Sequence, residues 1–242
     1  MLYSLKKFLR ICDCLLTQKK RTISFQGKLY QFYWTYWWDN TAQDIFDEEI
    51  RPYFEALGAF QPAVILDVGA AGGHFSLVAC KLFPGSITHA FEPSLRQRIL
   101  LCRNARLNGA TGLKIEPIGL WNRAAVLPFR TIGAESSFAA ASRYQGHLEF
   151  PEKAHVTSLD NWAAEQAIRQ IDLVKIDAEG AELEILEGAQ AALAQFRPRV
   201  LIQAYHIRDG MRTFERCAES LANIGYDVRE FSPPSGLLVA VR

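Results

Sequence analysis

The segment Val64-Ile65-Leu66-Asp67-Val68-Gly69-Ala70-Ala71-Gly72-Gly73-His74-Phe75 decides the fold. An apolar run interrupted by one acid reads as a buried strand, the glycines read as a turn, and a helical pattern starts at His74. A second apolar run, Ile87-Thr88-His89-Ala90-Phe91, ends in Glu92. Strand, glycine turn, helix and an acid at the tip of the next strand make a nucleoside-cofactor site. The glycines let the backbone approach the ligand, and the acid accepts hydrogen bonds from a ribose. The glycine spacing then separates the cofactors. A dinucleotide fingerprint, G-x-G-x-x-G, needs a glycine two positions after Gly69, where Ala71 stands. The chain reads D-x-G-x-x-x-G instead, which argues against a hydride-transfer enzyme.

Outward from that segment, strands and helices alternate. Strands are expected at 63–68, 86–91, 113–118, 171–176, 199–205, 226–231 and 237–241, and helices at 74–82, 94–108, 180–195 and 210–223. Gly109 and Gly225 stand where helices end. This β-α-β pattern predicts a doubly wound α/β fold, with a mostly parallel sheet of seven strands covered on both faces. Phe231-Ser232-Pro233-Pro234-Ser235-Gly236 is turn-like between two short apolar runs, so the last strand is expected to run antiparallel. Between 119 and 160 the pattern weakens. Short strands are read at 126–129 and 154–159, and the Ala/Ser-rich stretch 134–142 between them reads as either a disordered segment or a loop over the site.

A chain of 242 residues, 49% hydrophobic and 22% charged, suits one domain with a short appendage. The boundary is placed between an N-terminal helical, aromatic-rich extension, 1–58, and the α/β domain, 59–242. Net charge is +1, but residues 1–30 carry seven basic side chains against Asp13 alone. Leu5, Leu9, Cys12 and Leu16 recur at helical spacing among Lys6, Lys7 and Arg10, giving a basic amphipathic helix over 2–16. It packs on the domain, pairs with a second copy in a homodimer, or makes a peripheral contact with an anionic membrane. Tyr30-Gln31-Phe32-Tyr33-Trp34-Thr35-Tyr36-Trp37-Trp38 holds seven aromatics in nine residues, a packing layer, a dimer contact or a surface for a substrate ring. One helix is expected over 42–57. Nothing in the overall charge points to nucleic acid. The five scattered cysteines read as reduced thiols of a cytoplasmic protein.

Three separated segments resemble one family, the FkbM methyltransferases. They are Ile65-Leu66-Asp67-Val68-Gly69-Ala70-Ala71-Gly72-Gly73-His74-Phe75; Ala90-Phe91-Glu92-Pro93-Ser94 with Asn104 and Leu107-Asn108-Gly109; and Thr157-Ser158-Leu159-Asp160 continuing to Lys175-Ile176-Asp177-Ala178-Glu179-Gly180-Ala181-Glu182. The resemblance covers about 60–242. It implies a class I, Rossmann-like methyltransferase fold, S-adenosylmethionine (SAM) as cofactor, S-adenosylhomocysteine as product, and O-methylation of a small-molecule or glycan acceptor.

In that picture Gly69 and Gly73 let the cofactor's amino-acid tail pass close, with Ala71 and Phe75 beside it. Asp67 orients the site, Glu92 holds both ribose hydroxyls, Gly119 and Leu120 line the adenine, and Asp177 is a further cofactor-binding residue. The candidate catalytic groups at the ends of the fourth and fifth strands are His206, Glu179 and Asp177, with His206 suited to general base by its ordinary pKa near 6.5. Asp177 and Glu179 lack a third clear oxygen ligand for Mg²⁺. Two departures stand out: Ala71 replaces the family's usual Asn, and Gln203 replaces an acid, so Gln203 cannot raise the basicity of His206. They keep open a non-catalytic SAM-binding or assembly protein, with an NAD(P)-dependent oxidoreductase as the remaining alternative.

Overall fold

The structure is a computed structural model that describes residues 19–34, 42–132, 135–137, 150–208 and 210–242. The helix expected over 2–16 and the aromatics Tyr36, Trp37 and Trp38 lie outside the described residues, as does most of 134–142.

The described chain opens on a β-hairpin where a helical extension was expected. Strands β1 (Lys19–Phe25) and β2 (Lys28–Trp34) pair antiparallel. Gln26 and Gly27 form the two-residue turn with φ of 47° and 70°, the left-handed pair that a tight hairpin needs. Ile23, Phe25, Tyr30 and Phe32 are buried, which is the alternation of a half-covered ribbon. The single helix expected over 42–57 is two, α1 (Ala42–Glu49) and α2 (Arg51–Leu57). Pro52 supplies no N–H to continue the first helix but fits the opening turn of the second.

The domain then runs β3 (Val64–Val68), α3 (His74–Leu82), β4 (Ile87–Phe91), α4 (Leu95–Asn108) and β5 (Leu113–Glu116). An insertion follows: β6 (Gly119–Leu120), β7 (Ala125–Ile132), β8 (Glu135–Ser137) and β9 (Phe150–Thr157) make a second sheet in the order β6-β9-β7-β8. The strand expected at 154–159 therefore begins earlier and ends at Thr157. Ser158 stops it by capping α5 (Leu159–Glu165), its side chain accepting from the Asn161 N–H at 3.1 Å.

After β10 (Leu173–Ile176), the expected helix 180–195 is split into α6 (Glu182–Glu187) and α7 (Gln190–Phe196). A Cβ on Gly188 would lie 2.2 Å from the Trp121 carbonyl oxygen, so the break is where these helices pass against the insertion. The Asp160 carboxylate accepts from the N–H groups of Ala191 and Ala192 and so caps α7. The chain ends β11 (Arg199–Gln203), a small hairpin β12 (Ile207–Arg208) and β13 (Met211–Arg212), α8 (Thr213–Asn223), β14 (Asp227–Glu230) and β15 (Leu237–Val241).

The central sheet has the order β14-β15-β11-β10-β3-β4-β5. β15 is antiparallel to both neighbours, and the rest of the sheet from β11 to β5 is parallel, as expected. Successive residues of each strand feed opposite faces. Leu66, Val174 and Val200 pack with α5 to α8, whereas Ile65, Leu173 and Leu201 pack with α3, α2, α1 and the hairpin. Residues 19–34 and 42–57 thus form a layer of the same core rather than a separate appendage. Among the described residues no helix is long and apolar enough to cross a membrane.

The hairpin is tied down by polar side chains as well as by its apolar face. Asn104 and Asn108, one turn apart on α4, act as a neighbouring strand would. Asn104 Oδ1 accepts from the Tyr33 N–H at 2.8 Å, and Asn108 Oδ1 accepts from the Gln31 N–H at 3.0 Å. Asn104 Nδ2 also donates to the Gly72 carbonyl at 2.9 Å. One side chain therefore joins the hairpin to the glycine turn.

Candidate active site

The chain reverses direction across the sheet between β3 and β10, and ligands of open α/β sheets bind at the carboxyl ends of strands at such a point. A cavity of about 240 Å³ lies there, and Glu92, Asp177, Glu179, Tyr53 and Phe129 are among its lining residues. Gly69, Ala71, Phe75, Gly119 and Leu120 also line it, so the structure brings together most of the expected cofactor residues.

Gly69 is required by the fold itself. With φ of 77°, a Cβ there would fall 1.9 Å from the Asp177 carbonyl oxygen, so the turn after β3 lies flush against the end of β10. The Phe91 carbonyl accepts from the N–H groups of both Gly69 and Ala70 at 3.1 Å, drawing the turn against β4. Ala71 holds φ of 45°, a region where a short polar side chain such as the family's usual Asn is less strained. Its N–H points at Glu92.

Glu92 is 5% exposed. Its Oε2 accepts from the Ala71 N–H at 2.8 Å and its Oε1 from the Ser94 N–H at 2.7 Å. Burial still dominates and pushes the carboxyl up to about 7. Two backbone donors orient this carboxylate at the cavity wall without fully compensating its charge, which suits a group awaiting two ligand hydroxyls.

Asp67 and Gly73 are not among the cavity-lining residues. Asp67 is fully buried behind the turn, where it accepts from the Ser76 hydroxyl at 2.5 Å and lies 3.0 Å from Lys175 Nζ. Its influence on a ligand is indirect, through the turn. Gly73, with φ of 87°, opens α3, and a Cβ there would meet the Leu101 side chain at 2.1 Å. Lys175, expected to pair with Asp177 or another acid, pairs with Asp67 and donates to the Gly69 carbonyl at 3.1 Å, with Asp177 Oδ2 at 3.9 Å. Burial pulls the Lys175 ammonium down, but the Asp67 and Asp177 carboxylates outweigh it and leave it above its ordinary value.

The expected catalytic trio divides. Asp177 and Glu179 line the cavity, whereas His206 is not among the lining residues. His206 Nε2 is 3.2 Å from Glu179 Oε2, and Nδ1 is 3.3 Å from Oε1 of the fully buried Glu182. Burial alone would lower the imidazole, but hydrogen bonds and charge from Glu179 and Glu182 reverse this and raise it to about 10. His206 is therefore an imidazolium at neutral pH, held behind Glu179, and is not poised to take a proton. Glu182 supplies the basicity that Gln203 cannot. Gln203 lines the cavity and donates to the Ser235 carbonyl at 3.3 Å, tying β11 to the turn before β15.

Sequence reasoning missed Tyr53, whose hydroxyl donates to Asp177 Oδ2 at 3.1 Å. Burial, then Asp177, raise this phenol well above its ordinary value, so it stays a donor. Phe129 of the insertion and Tyr205 after β11 also line the cavity. No spacing rule marks such residues, because they converge from separate parts of the chain.

Carboxylates dominate the lining: Glu48, Glu49, Glu92, Asp177 and Glu179 stand against Lys175, whose charge Asp67 already matches. Such a wall repels a pyrophosphate and suits a ligand with cationic sulfonium and ammonium groups and a ribose diol. Sheet order, glycine turn, the acid closing β4 and the acid-lined cavity define a class I methyltransferase. A model of the methyltransferase FkbM domain matches residues 67–228, and the chain belongs to that family. Its cofactor is SAM, which removes the oxidoreductase alternative.

Among curated relatives, the chain is 26% identical over 211 residues to methyltransferase sdnD of Sordaria araneosa, across 74% of this chain and 80% of that one. The crystal structure of the FkbM methyltransferase from Methylobacillus flagellatus KT aligns with a TM-score of 0.52 at 20% identity, covering 74% of this chain. This chain spans 43% of that longer one. Fibrillarin of Aeropyrum pernix, solved with natively bound S-adenosyl-L-methionine, aligns with a TM-score of 0.52 at 11% identity over 95% of this chain and 86% of its own. At such identities the solved structures carry the fold.

Proposed function

We propose that this chain transfers the methyl group of SAM to a hydroxyl of a sugar or secondary metabolite, with Glu179 accepting the proton. When bound, SAM supplies a methyl carbon activated by its sulfonium. The protein then has to hold the acceptor oxygen in line with that carbon and remove its proton.

The observation that carries this reading is the Glu179–His206–Glu182 arrangement. Glu179 faces the cavity, and burial raises its carboxyl above the ordinary value, which makes it a stronger base. The imidazolium of His206 fixes its orientation from behind. Because the same ring also faces Glu182, it keeps one carboxylate partner when Glu179 is neutralised by the acceptor's proton. Asp177, held by Tyr53 and near Lys175, offers carboxylate oxygens to a cationic or hydroxyl group of either ligand.

Purified protein would be incubated with SAM and a panel of hydroxylated sugars and metabolites, and S-adenosylhomocysteine formation measured. Glu179→Gln should bind S-adenosylhomocysteine within about threefold of the parent but turn over about 10²- to 10⁴-fold more slowly. Full turnover in that variant would remove Glu179 as proton acceptor. Tight cofactor binding without turnover on any acceptor would favour the non-catalytic alternative.

A further inference from the structure

Helix α4 turns an unusual face to solvent. Its fourteen residues carry Arg96, Arg98, Arg103 and Arg106 and no acid. A surface helix gains stability from opposite charges at i,i+4, and arginines in a first turn oppose the helix dipole. Arg106, in the last turn, suits the dipole, but local helix stability does not account for Arg96 and Arg98. Arg98 has an internal task, donating to the Glu92 and Pro93 carbonyls at 2.9 and 2.6 Å. At 100° per residue, Leu95, Ile99, Arg103 and Arg106 fall within an arc of about 80°. This stripe lies opposite the buried Gln97, Leu100, Leu101 and Asn104. Leu95 is 59% and Ile99 55% exposed, so the stripe has an aliphatic start and a cationic end.

The hairpin extends the same side. Asn104 and Asn108 fasten β2 along α4, and Arg103 lies over the Tyr33 ring at 4.3 Å. Lys20, paired with Tyr33, and Leu29, on the same face of the hairpin, are exposed.

We propose that the outward stripe of α4, together with the hairpin beside it, docks on an anionic lipid surface. Leu95 and Ile99 would enter the acyl boundary while the arginines meet lipid phosphates. A nucleic acid would use the arginines but leave both aliphatics without a role. A two-fold contact with a second copy would set two arginine stripes against each other. Two exposed aliphatics are also too few for the core of a stable protein interface. Added to the cationic Lys20, Arg103 and Arg106 beside them, they are enough for reversible membrane attachment. Pro93 and Gln97, on either side of Leu95, line the cavity, so the docked surface would lie beside the site. This inference stands independently of the acceptor assigned above.

The test is co-sedimentation of the full chain with phosphatidylcholine vesicles and with vesicles containing about one third phosphatidylserine, at low and high salt. Binding is expected only to the anionic vesicles and should weaken with salt. Leu95→Asn/Ile99→Asn should weaken it at least tenfold, and Arg106→Glu at least about fivefold. Calorimetric binding of S-adenosylhomocysteine, unchanged in each variant, certifies the fold. Three results would each overturn the proposal: absence of binding to anionic vesicles, a double variant that binds like the parent, and a preference for a short oligonucleotide over vesicles. Self-association that the double variant abolishes would also overturn it, by making the face a contact between copies.

Discussion

Cofactor affinity should rise with pH through neutrality, and Glu92 should be the reason. The unfolded chain releases this proton near the ordinary value of 4.5, whereas burial holds it in the folded protein to about 7. Between those values the native state binds the proton and the unfolded state does not, so Glu92 makes stability fall as pH rises. The difference is about 3 kcal/mol at most, the cost of an ionised carboxylate at the cavity wall that two backbone N–H groups only partly compensate. A ribose diol would donate to the same oxygens and favour the ionised form. If that form binds, the competent fraction grows from roughly one tenth at pH 6 to nine tenths at pH 8, and affinity rises about tenfold.

The histidines near the cavity leave this window clear. His206 is held near 10 by Glu179 and Glu182, and His74 is driven down to about 3 by burial, so neither changes charge between pH 6 and 8. Isothermal titration with S-adenosylhomocysteine across that range, in buffers of different ionisation enthalpy, should show proton release and the tenfold gain. Glu92→Gln should bind at least tenfold more weakly at pH 8 and lose the slope. A flat profile in the parent protein, or an equal slope in the variant, would refute both the ribose assignment and its electrostatic basis.

Three further outcomes follow from the buried network. Lys175→Met should destabilise the fold by about 3–5 kcal/mol, because it strands the Asp67 carboxylate; adding Asp67→Leu should recover most of that loss in urea unfolding, and a single-variant cost below about 1 kcal/mol would contradict the pairing. Asn104→Ala should cost about 1–3 kcal/mol by leaving the Tyr33 N–H and Gly72 carbonyl without partners, and should weaken S-adenosylhomocysteine binding as well; an effect on stability with no change in affinity would separate the hairpin from the glycine turn. Ala71→Gly should stabilise by about 0.5–1 kcal/mol in thermal unfolding, since the left-handed backbone is relieved, with the bond to Glu92 preserved because it uses the main chain.

Legibility of the fold followed periodicity. All seven strands of the central sheet were readable as alternating or continuous apolar runs, and the antiparallel β15 was announced by a turn-rich segment. The hairpin β1–β2 was not. Its Ile23, Phe25, Tyr30 and Phe32 alternate properly, but Gln26-Gly27 is a weaker turn signal than Asn-Gly, and the aromatic run past β2 obscured the period of two. Residues 180–195 look like one helix for the complementary reason. Nothing local breaks it. Gly188 is needed because Trp121, far off in sequence, passes too close for a side chain.

The site divides along the same physical line. Motif residues located it, yet Asp67, Gly73, Asn104 and Asp160 all turn out to hold turns, helix ends or the hairpin in place. Their spacing is legible because each supports structure that lies near it or packs directly on it. The other residues that line the cavity have no such rule. Tyr53 comes from the N-terminal layer, Phe129 from the inserted sheet and Tyr205 from the loop after β11, and none of them supplies the backbone donors that orient Glu92. Acceptor choice should therefore reside in these three elements, while cofactor affinity resides in the turn. Substituting Phe129 by Ala should change which acceptors are methylated and leave S-adenosylhomocysteine affinity within about threefold, because Phe129 takes no part in the hydrogen bonds that orient Glu92. A large loss of cofactor affinity in that variant would show instead that the inserted sheet closes over the nucleoside, and that one surface serves both ligands.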